Sequence, residues 1–290
     1  MNRTWTVLDL LNWAAPYLEK HGSGSPRLDA ELLLARVLDC PRLELYLRFD
    51  QPLAADELAA FKQYIVARRE GMPVAYLLGE KEFWSLTFKV TPEVLVPRPE
   101  TEHLVEAAIE RLENDPDAPA RVLDIGTGCG NIILALAHQL RERENLSWCG
   151  VDNRPAALAV ARENGCRLGL EQVDFRVSDL FAAFTPGREV FELIISNPPY
   201  IERAALASLP PEVRREPAAA LDGGPDGLDF YRRITAAARD FLSPGGSLLF
   251  EVGAGQAGAV KKILASSGYD AIAGRCDLAG HERVVSGRLV

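Results

Sequence analysis

This sequence is poor in histidine, in paired cysteine and in positive charge, and each shortage excludes something. Its four histidines, His21, His103, His138 and His281, are scattered without metal-ligand spacing, so no metal site is expected. Five cysteines (Cys40, Cys129, Cys149, Cys166 and Cys276) make an odd count with no Cys-x-x-Cys pair. That argues against a zinc site or a disulfide framework and for reduced thiols in a cytoplasmic protein. No apolar run approaches the ~20 residues of a membrane span. Met1 to Leu18 interleaves Arg3, Asp9 and Asn12 with its apolar residues, which does not read as a signal peptide. Lys and Arg number 32 against 41 Asp and Glu, a net charge of −9. Tight binding to nucleic acid rests on a basic surface that releases counterions, so bulk DNA or RNA is not the expected partner.

What is present has the organisation of a soluble α/β protein with a helical N-terminal segment. Thr6 and Asp9 make a capping box ahead of Val7-Leu8 and Leu10-Leu11. Ser25-Pro26 reads as an N-cap followed by proline at the first helical position. A further helix is expected over about 55–70, with Leu58, Phe61, Ile65 and Val66 on one face. Residues 1–80 carry 9 basic against 11 acidic side chains, so this is no basic nucleic-acid arm. It reads equally as a packing module or a partner-docking module.

Phe83 to Val90 is aromatic and β-branched and reads as strand, interrupted at Thr91-Pro92 and resumed at Val94–Val96. A hairpin linking two domains fits. The expected domains are 1–80 (helical), 81–98 (β-hairpin linker) and 99–290 (α/β). From Arg121 onward strands are expected near 121–125, 148–151, 173–177, 193–196 and 247–251, alternating with helices. That alternation gives a mainly parallel sheet covered on both faces. The stretches 271–275 and 282–288 read as a closing antiparallel pair.

Two motifs fall at the carboxyl ends of these strands, where open α/β sheets bind ligands. The first is Asp124-Ile125-Gly126-Thr127-Gly128-Cys129-Gly130, which opens the next helix. Its glycines allow a sharp turn and close backbone approach. Asp152 follows 22 positions beyond Gly130 and suits a ribose diol, with Asn153 beside it. A dinucleotide fingerprint would space its glycines Gly-x-Gly-x-x-Gly and would not place an acid beside a pyrophosphate. Asp124 suits instead an ammonium or a sulfonium, and S-adenosylmethionine carries both. Ser178-Asp179-Leu180 fits either an adenine contact or a helix N-cap.

The second motif is Asn197-Pro198-Pro199-Tyr200, directly after the apolar run Phe191–Ser196. Two prolines stiffen the loop and remove two N–H donors, leaving carbonyls free to accept. Asn197 adds a planar amide and Tyr200 a flat ring with a polar tip. Such a loop reads as a turn or as a grip for a small planar group that bears an NH2.

These residues resemble class I S-adenosylmethionine-dependent methyltransferases. The longer context is narrower: Pro97-Arg98-Pro99-Glu100-Thr101-Glu102, Tyr76–Glu80 with Phe83-Trp84, Leu221–Gly227 and Glu282–Val285 resemble the peptide chain release factor glutamine N5-methyltransferases of the HemK/PrmC type. The resemblance implies a seven-stranded, mostly parallel Rossmann-like sheet behind a small helical domain and a hairpin. It implies methyl transfer from S-adenosylmethionine, leaving S-adenosylhomocysteine, to the amide nitrogen of the glutamine in the Gly-Gly-Gln loop of class I release factors. On that basis the cofactor residues are Asp124, Gly126, Thr127, Gly128, Cys129, Gly130, Asp152, Asn153, Asp179, Leu180 and Asn197. The substrate residues are Asn197, Pro198, Pro199 and Tyr200, with Arg98 and Glu100 shaping the pocket. Asn197, Pro198 and Tyr200 carry the catalytic role: two acceptors for the amide N–H groups and a ring against its plane. No membrane and no direct nucleic-acid partner is implied. The alternative is a DNA or RNA adenine N6-methyltransferase, which shares the Asn-Pro-Pro-Tyr tetrapeptide.

Overall fold

The computed structural model describes residues 4–289. Met1 and Arg3, cited against a signal peptide, lie outside them. Contacts divide the chain into two units. One comprises the residues up to Glu80 together with Pro210–Arg215, the other Lys81–Leu209 with Glu216 onward.

The first unit is helical: α1 (Val7–Lys20), α2 (Pro26–Val37), α3 (Ala55–Arg69) and α4 (Val74–Leu78). The capping box forms, with Thr6 Oγ1 accepting from Asp9 N–H at 3.2 Å and Asp9 Oδ2 accepting from Thr6 N–H at 3.2 Å. Ser25 precedes Pro26 as expected, but its side chain makes no capping bond. Leu11, Leu18, Leu33, Leu34, Phe61 and Ile65 fill the core. Glu31 is buried among them and accepts from Arg27 (2.7 Å), Arg42 (2.8 Å) and the Tyr46 hydroxyl (2.7 Å). Burial raises its pKa, but Tyr46, Arg27 and Arg42 outweigh that and hold the carboxyl below the usual range. Pro210–Arg215 joins this unit through Arg68, which pairs with Glu212, and through Arg215 Nη2, which donates to the Glu70 carbonyl at 3.0 Å.

A hairpin follows, β1 (Glu80–Phe83) and β2 (Leu86–Lys89), which from Lys81 onward belongs to the second unit. This corrects the expectation of one strand over 83–90 resuming at 94–96. The chain turns at Trp84 and Ser85, both left-handed (φ 53° and 56°), although neither is the glycine or asparagine that favours that region. Tertiary partners hold Trp84 there: Glu102 Oε1 accepts Trp84 N–H at 2.9 Å and Gln139 Oε1 accepts Trp84 Nε1–H at 3.3 Å. Val94–Val96 is not a strand, and the Val96 N–H donates to Glu216 Oε2 at 3.0 Å instead of to a ladder.

Then follow α5 (Glu102–Glu113), β3 (Ala120–Ile125), α6 (Asn131–Gln139), β4 (Leu146–Asp152), α7 (Pro155–Arg167), β5 (Asp174–Val177), β6 (Phe191–Ser196), α8 (Asp229–Ala238), β7 (Leu242–Glu251), α9 (Ala257–Ser266), β8 (Tyr269–Cys276) and β9 (Glu282–Leu289). The seven strands of the sheet run β5-β4-β3-β6-β7-β9-β8, with β9 antiparallel to β7 and β8 and the other pairs parallel. Alternate residues serve opposite faces. Val122, Leu193 and Ile195 join one core, and Leu123, Ile194 and Phe250 the other. Strand order reverses beside β3, which pairs with β4 on one side and β6 on the other. That reversal opens a crevice at the carboxyl edge.

Candidate active site

Register decides which residues meet in the crevice. Ile125 is opposite Val151 on β4 and Ser196 on β6. The next residue on each strand is therefore at one level: Gly126, Asp152 and Asn197. Ser196 Oγ donates to the Ile125 carbonyl at 2.7 Å and pins the β3 and β6 edges together. All three residues line a cleft of ≈ 110 Å³, along with Gly128, Asn153, Asp179, Leu180, Pro198 and Pro199. An apolar wall that no sequence motif marks completes the cleft: Val94, Leu95, Ala157, Phe230 and Ile234. Phe230 and Ile234 are four apart and share a face of α8.

The three glycines of the loop differ in what surrounds them. Gly126 (φ 75°) and Gly128 (φ 56°) are left-handed, and a Cβ on either would meet nothing within 4 Å. Gly130 is also left-handed, but a Cβ there would meet Leu134 Cδ1 at 2.9 Å. It does not line the cleft, and its lack of a side chain serves helix packing. Thr127, Cys129 and Asp124 do not line it either.

Asp124 is fully buried; its Oδ2 accepts from Thr127 Oγ1 at 2.6 Å and its Oδ1 has no partner among the described residues. Burial, with Asp152 nearby, pushes its pKa up to about 7 against the Thr127 bond. Cys129 is buried and its thiol is pushed up to about 12, so it stays protonated and is no nucleophile. Asp152 Oδ2 accepts from Gly128 N–H at 3.0 Å and Oδ1 from Arg154 N–H at 2.9 Å, which ties the acid to the glycine loop. Asp179 is exposed, and both its oxygens accept from Arg233 at 3.0 Å.

Asn197 Nδ2 donates to Thr101 Oγ1 at 3.2 Å. That leaves Oδ1 as the amide end without a hydrogen bond among the described residues. Tyr200 stands apart from the cleft lining. Its carbonyl accepts from Gln256 Nε2 at 2.9 Å, and its ring is so close to Gly253 that a Cβ there would be 2.9 Å from Tyr200 Cδ2. Arg98 and Glu100 do not line the cleft. Arg98 pairs with Glu216, which is 5% exposed and also takes the Val96 N–H, so the pair stiffens the approach to the site. A further long-range brace is Asn164 of α7. It accepts from Lys89 N–H (2.7 Å) and donates to the carbonyls of Lys89 (3.0 Å) and Cys129 (2.9 Å), joining the hairpin to the glycine loop. No group of three or more His, Cys, Asp or Glu among the described residues has the arrangement of a metal site.

Residues 116–265 match the methyltransferase domain family, and residues 9–79 the PrmC N-terminal domain. The sheet order and the first of these matches make this a Rossmann-like methyltransferase. The 16S rRNA N2 G1207 methyltransferase of Thermus thermophilus, solved with AdoMet and guanosine, shares the fold (TM-score 0.52, 21% identity, 73% of this chain and 50% of that one). Among curated relatives, the release factor glutamine methyltransferase of Geobacter sulfurreducens is 45% identical over 98% of this chain and 97% of its own length. That of Rhodopirellula baltica is 43% identical over 97% and 96%. The chain belongs to the release factor glutamine methyltransferase family.

Proposed function

We propose that this protein methylates the side-chain amide nitrogen of the glutamine in the Gly-Gly-Gln loop of class I release factors, using S-adenosylmethionine. The observation that carries the reading is the shared level of Gly126, Asp152 and Asn197 in one cleft, with the Asn197 oxygen free. The donor set fits the cofactor. Gly126 and Gly128 leave open space where a side chain would stand, Asp152 is an acceptor for a ribose diol, and Asp124 has an unpartnered buried oxygen suited to a cationic group. Asp179, Leu180 and Phe230 line the same cleft with an acceptor and two apolar groups for an adenine. When bound, the cofactor supplies an electrophilic methyl on a sulfonium.

The chain's own residues have to make a poor nucleophile react, because an amide nitrogen shares its lone pair with its carbonyl. Asn197 Oδ1 and the Pro198 carbonyl accept the two N–H bonds of the incoming amide. Held by two acceptors, the nitrogen is aimed into the cleft and its pyramidal form is favoured. Positive charge builds on that nitrogen during transfer, so both acceptors gain strength in the transition state, and the methylated nitrogen then gives up one proton to solvent. Positioning of this kind can contribute about 7–11 kcal/mol. Tyr200 acts through its backbone, braced by Gln256, and supports the loop from outside the lining. The helical unit of residues 1–80 is proposed to dock the release factor, and the linker 81–98 to join it to the methyltransferase domain 99–290. No helix among the described residues is long and apolar enough to cross a membrane. A cytoplasmic site of action agrees with that and with the five unpaired cysteines.

Incubation with labelled cofactor and, separately, a release factor, duplex DNA and transfer RNA tests the substrate class. Label is expected on the release factor. Label on either nucleic acid, with none on protein, would replace this reading with adenine methylation.

A further inference from the structure

Glu251 ends β7 at the carboxyl edge, is 3% exposed, and its Oε2 has no hydrogen-bond partner among the described residues. A buried carboxyl oxygen left unpaired is costly and calls for a reason. Beside it is Thr101, 1% exposed, whose hydroxyl is near enough to the Glu251 carboxyl to oppose the rise in its pKa. Thr101 Oγ1 also accepts from Asn197 Nδ2 at 3.2 Å. A buried carboxyl, a buried hydroxyl and the cleft amide are thus in series.

We propose that Glu251 is a positioning residue that, through Thr101, sets which end of the Asn197 amide faces the cleft. This rests on the reading of Asn197 as the acceptor for the substrate amide. A hydroxyl has one proton to give. With Glu251 ionised, Thr101 gives that proton to the carboxylate and presents lone pairs to Asn197. The asparagine then turns its NH2 toward Thr101 and its oxygen to the cleft. With Glu251 protonated, the carboxylic acid donates to Thr101, the threonine proton turns to Asn197, and the amide is drawn round. Its NH2 then faces the substrate NH2, donor against donor.

The surroundings allow both states. Burial pushes the Glu251 pKa up to about 7, with Thr101 opposing, Glu100 adding, and Arg283 and Arg98 opposing. Tyr200 after β6 and Tyr231 of α8 also face the carboxyl, and the Tyr231 hydroxyl donates to the Glu251 backbone carbonyl at 2.9 Å. Neutral tyrosines add no charge near neutrality.

The test follows kcat and cofactor affinity against pH for wild type, Glu251→Gln, Thr101→Val, Thr101→Ser and Asn197→Ala. Wild-type kcat is expected to rise through about pH 7. Glu251→Gln mimics the protonated state and is expected to lose that rise and to lie about tenfold below the wild-type plateau, with cofactor affinity unchanged. Thr101→Val is expected to lose kcat to a like extent, and Thr101→Ser to restore it. Should Glu251→Gln fail to fold, the valine–serine pair decides alone. Wild-type kcat in Thr101→Val, or an intact rise in a folded Glu251→Gln, overturns the positioning role. Transfer that survives in Asn197→Ala overturns instead the reading on which it rests.

Discussion

At the scale of single residues, Asn197 and two glycines separate binding from transfer. Asn197→Ala removes the side-chain acceptor and nothing that lines the glycine side of the cleft. It is expected to abolish methyl transfer while calorimetry shows cofactor affinity nearly intact; equal loss of both contradicts its role. Asp152→Ala is expected to weaken cofactor binding at least several-fold, and an unchanged dissociation constant would remove the ribose assignment. Gly128→Ala and Gly130→Ala make a sharper contrast. A Cβ at Gly128 points into open space, whereas one at Gly130 meets Leu134 Cδ1 at 2.9 Å. Both alanines carry the strain of a left-handed backbone, about 1 kcal/mol. Gly128→Ala is therefore expected to lose affinity beyond its loss of stability, and Gly130→Ala to lose about 2 kcal/mol or more of stability. Reversal of that order in paired urea melts and titrations would show that the packing and lining glycines are misassigned.

At the scale of elements, motifs were legible where the signal is local. The Thr6–Asp9 box, Pro26 at the start of α2 and the strand ahead of Asn197 could all be read from neighbours in sequence. The turn at Trp84-Ser85 could not, because no glycine or asparagine marks it and its partners are on α5 and α6. Glu216, 120 positions from Val96, and Asn164, 75 from Lys89, were illegible for the same reason: their chemistry is ordinary and their partners are remote. Thr101 was read as part of a motif, yet its bond to Asn197 was not. Tyr200 is absent from the cleft lining, and its neighbours Gly253 and Gln256 are more than 50 positions away in sequence. Asn164→Ala deletes three hydrogen bonds that join α7, the hairpin and the glycine loop. At about 1 kcal/mol each, a loss of roughly 3 kcal/mol in urea unfolding is expected. A loss under about 0.5 kcal/mol would mean that the brace is redundant.

At the scale of the whole molecule, the buried acids give the stability a pH dependence of known sign. Glu251 is pushed from the usual 4.5 up to about 7 by burial. The folded state therefore holds this proton more tightly than the unfolded one. Its stabilising contribution is complete below about 4.5 and is lost as pH rises through about 7. Between pH 5 and pH 8 wild type is expected to lose on the order of 3 kcal/mol relative to Glu251→Gln. A parallel pH profile for the two proteins would show that the carboxyl is ionised throughout. The mostly parallel sheet and the two motif loops at its carboxyl edge follow from alternation and family resemblance; the strand order is visible only in the fold. The assignment of Pro210–Arg215 to the helical unit follows from neither.

The most direct measurement is mass spectrometry of peptides from a class I release factor after reaction with this protein and S-adenosylmethionine. A gain of about 14 Da, one methylene, is expected on the Gly-Gly-Gln glutamine. It is expected to be absent when Asn197→Ala replaces wild type. An unmodified glutamine after exhaustive reaction, or the same gain on another residue, would contradict the proposed function.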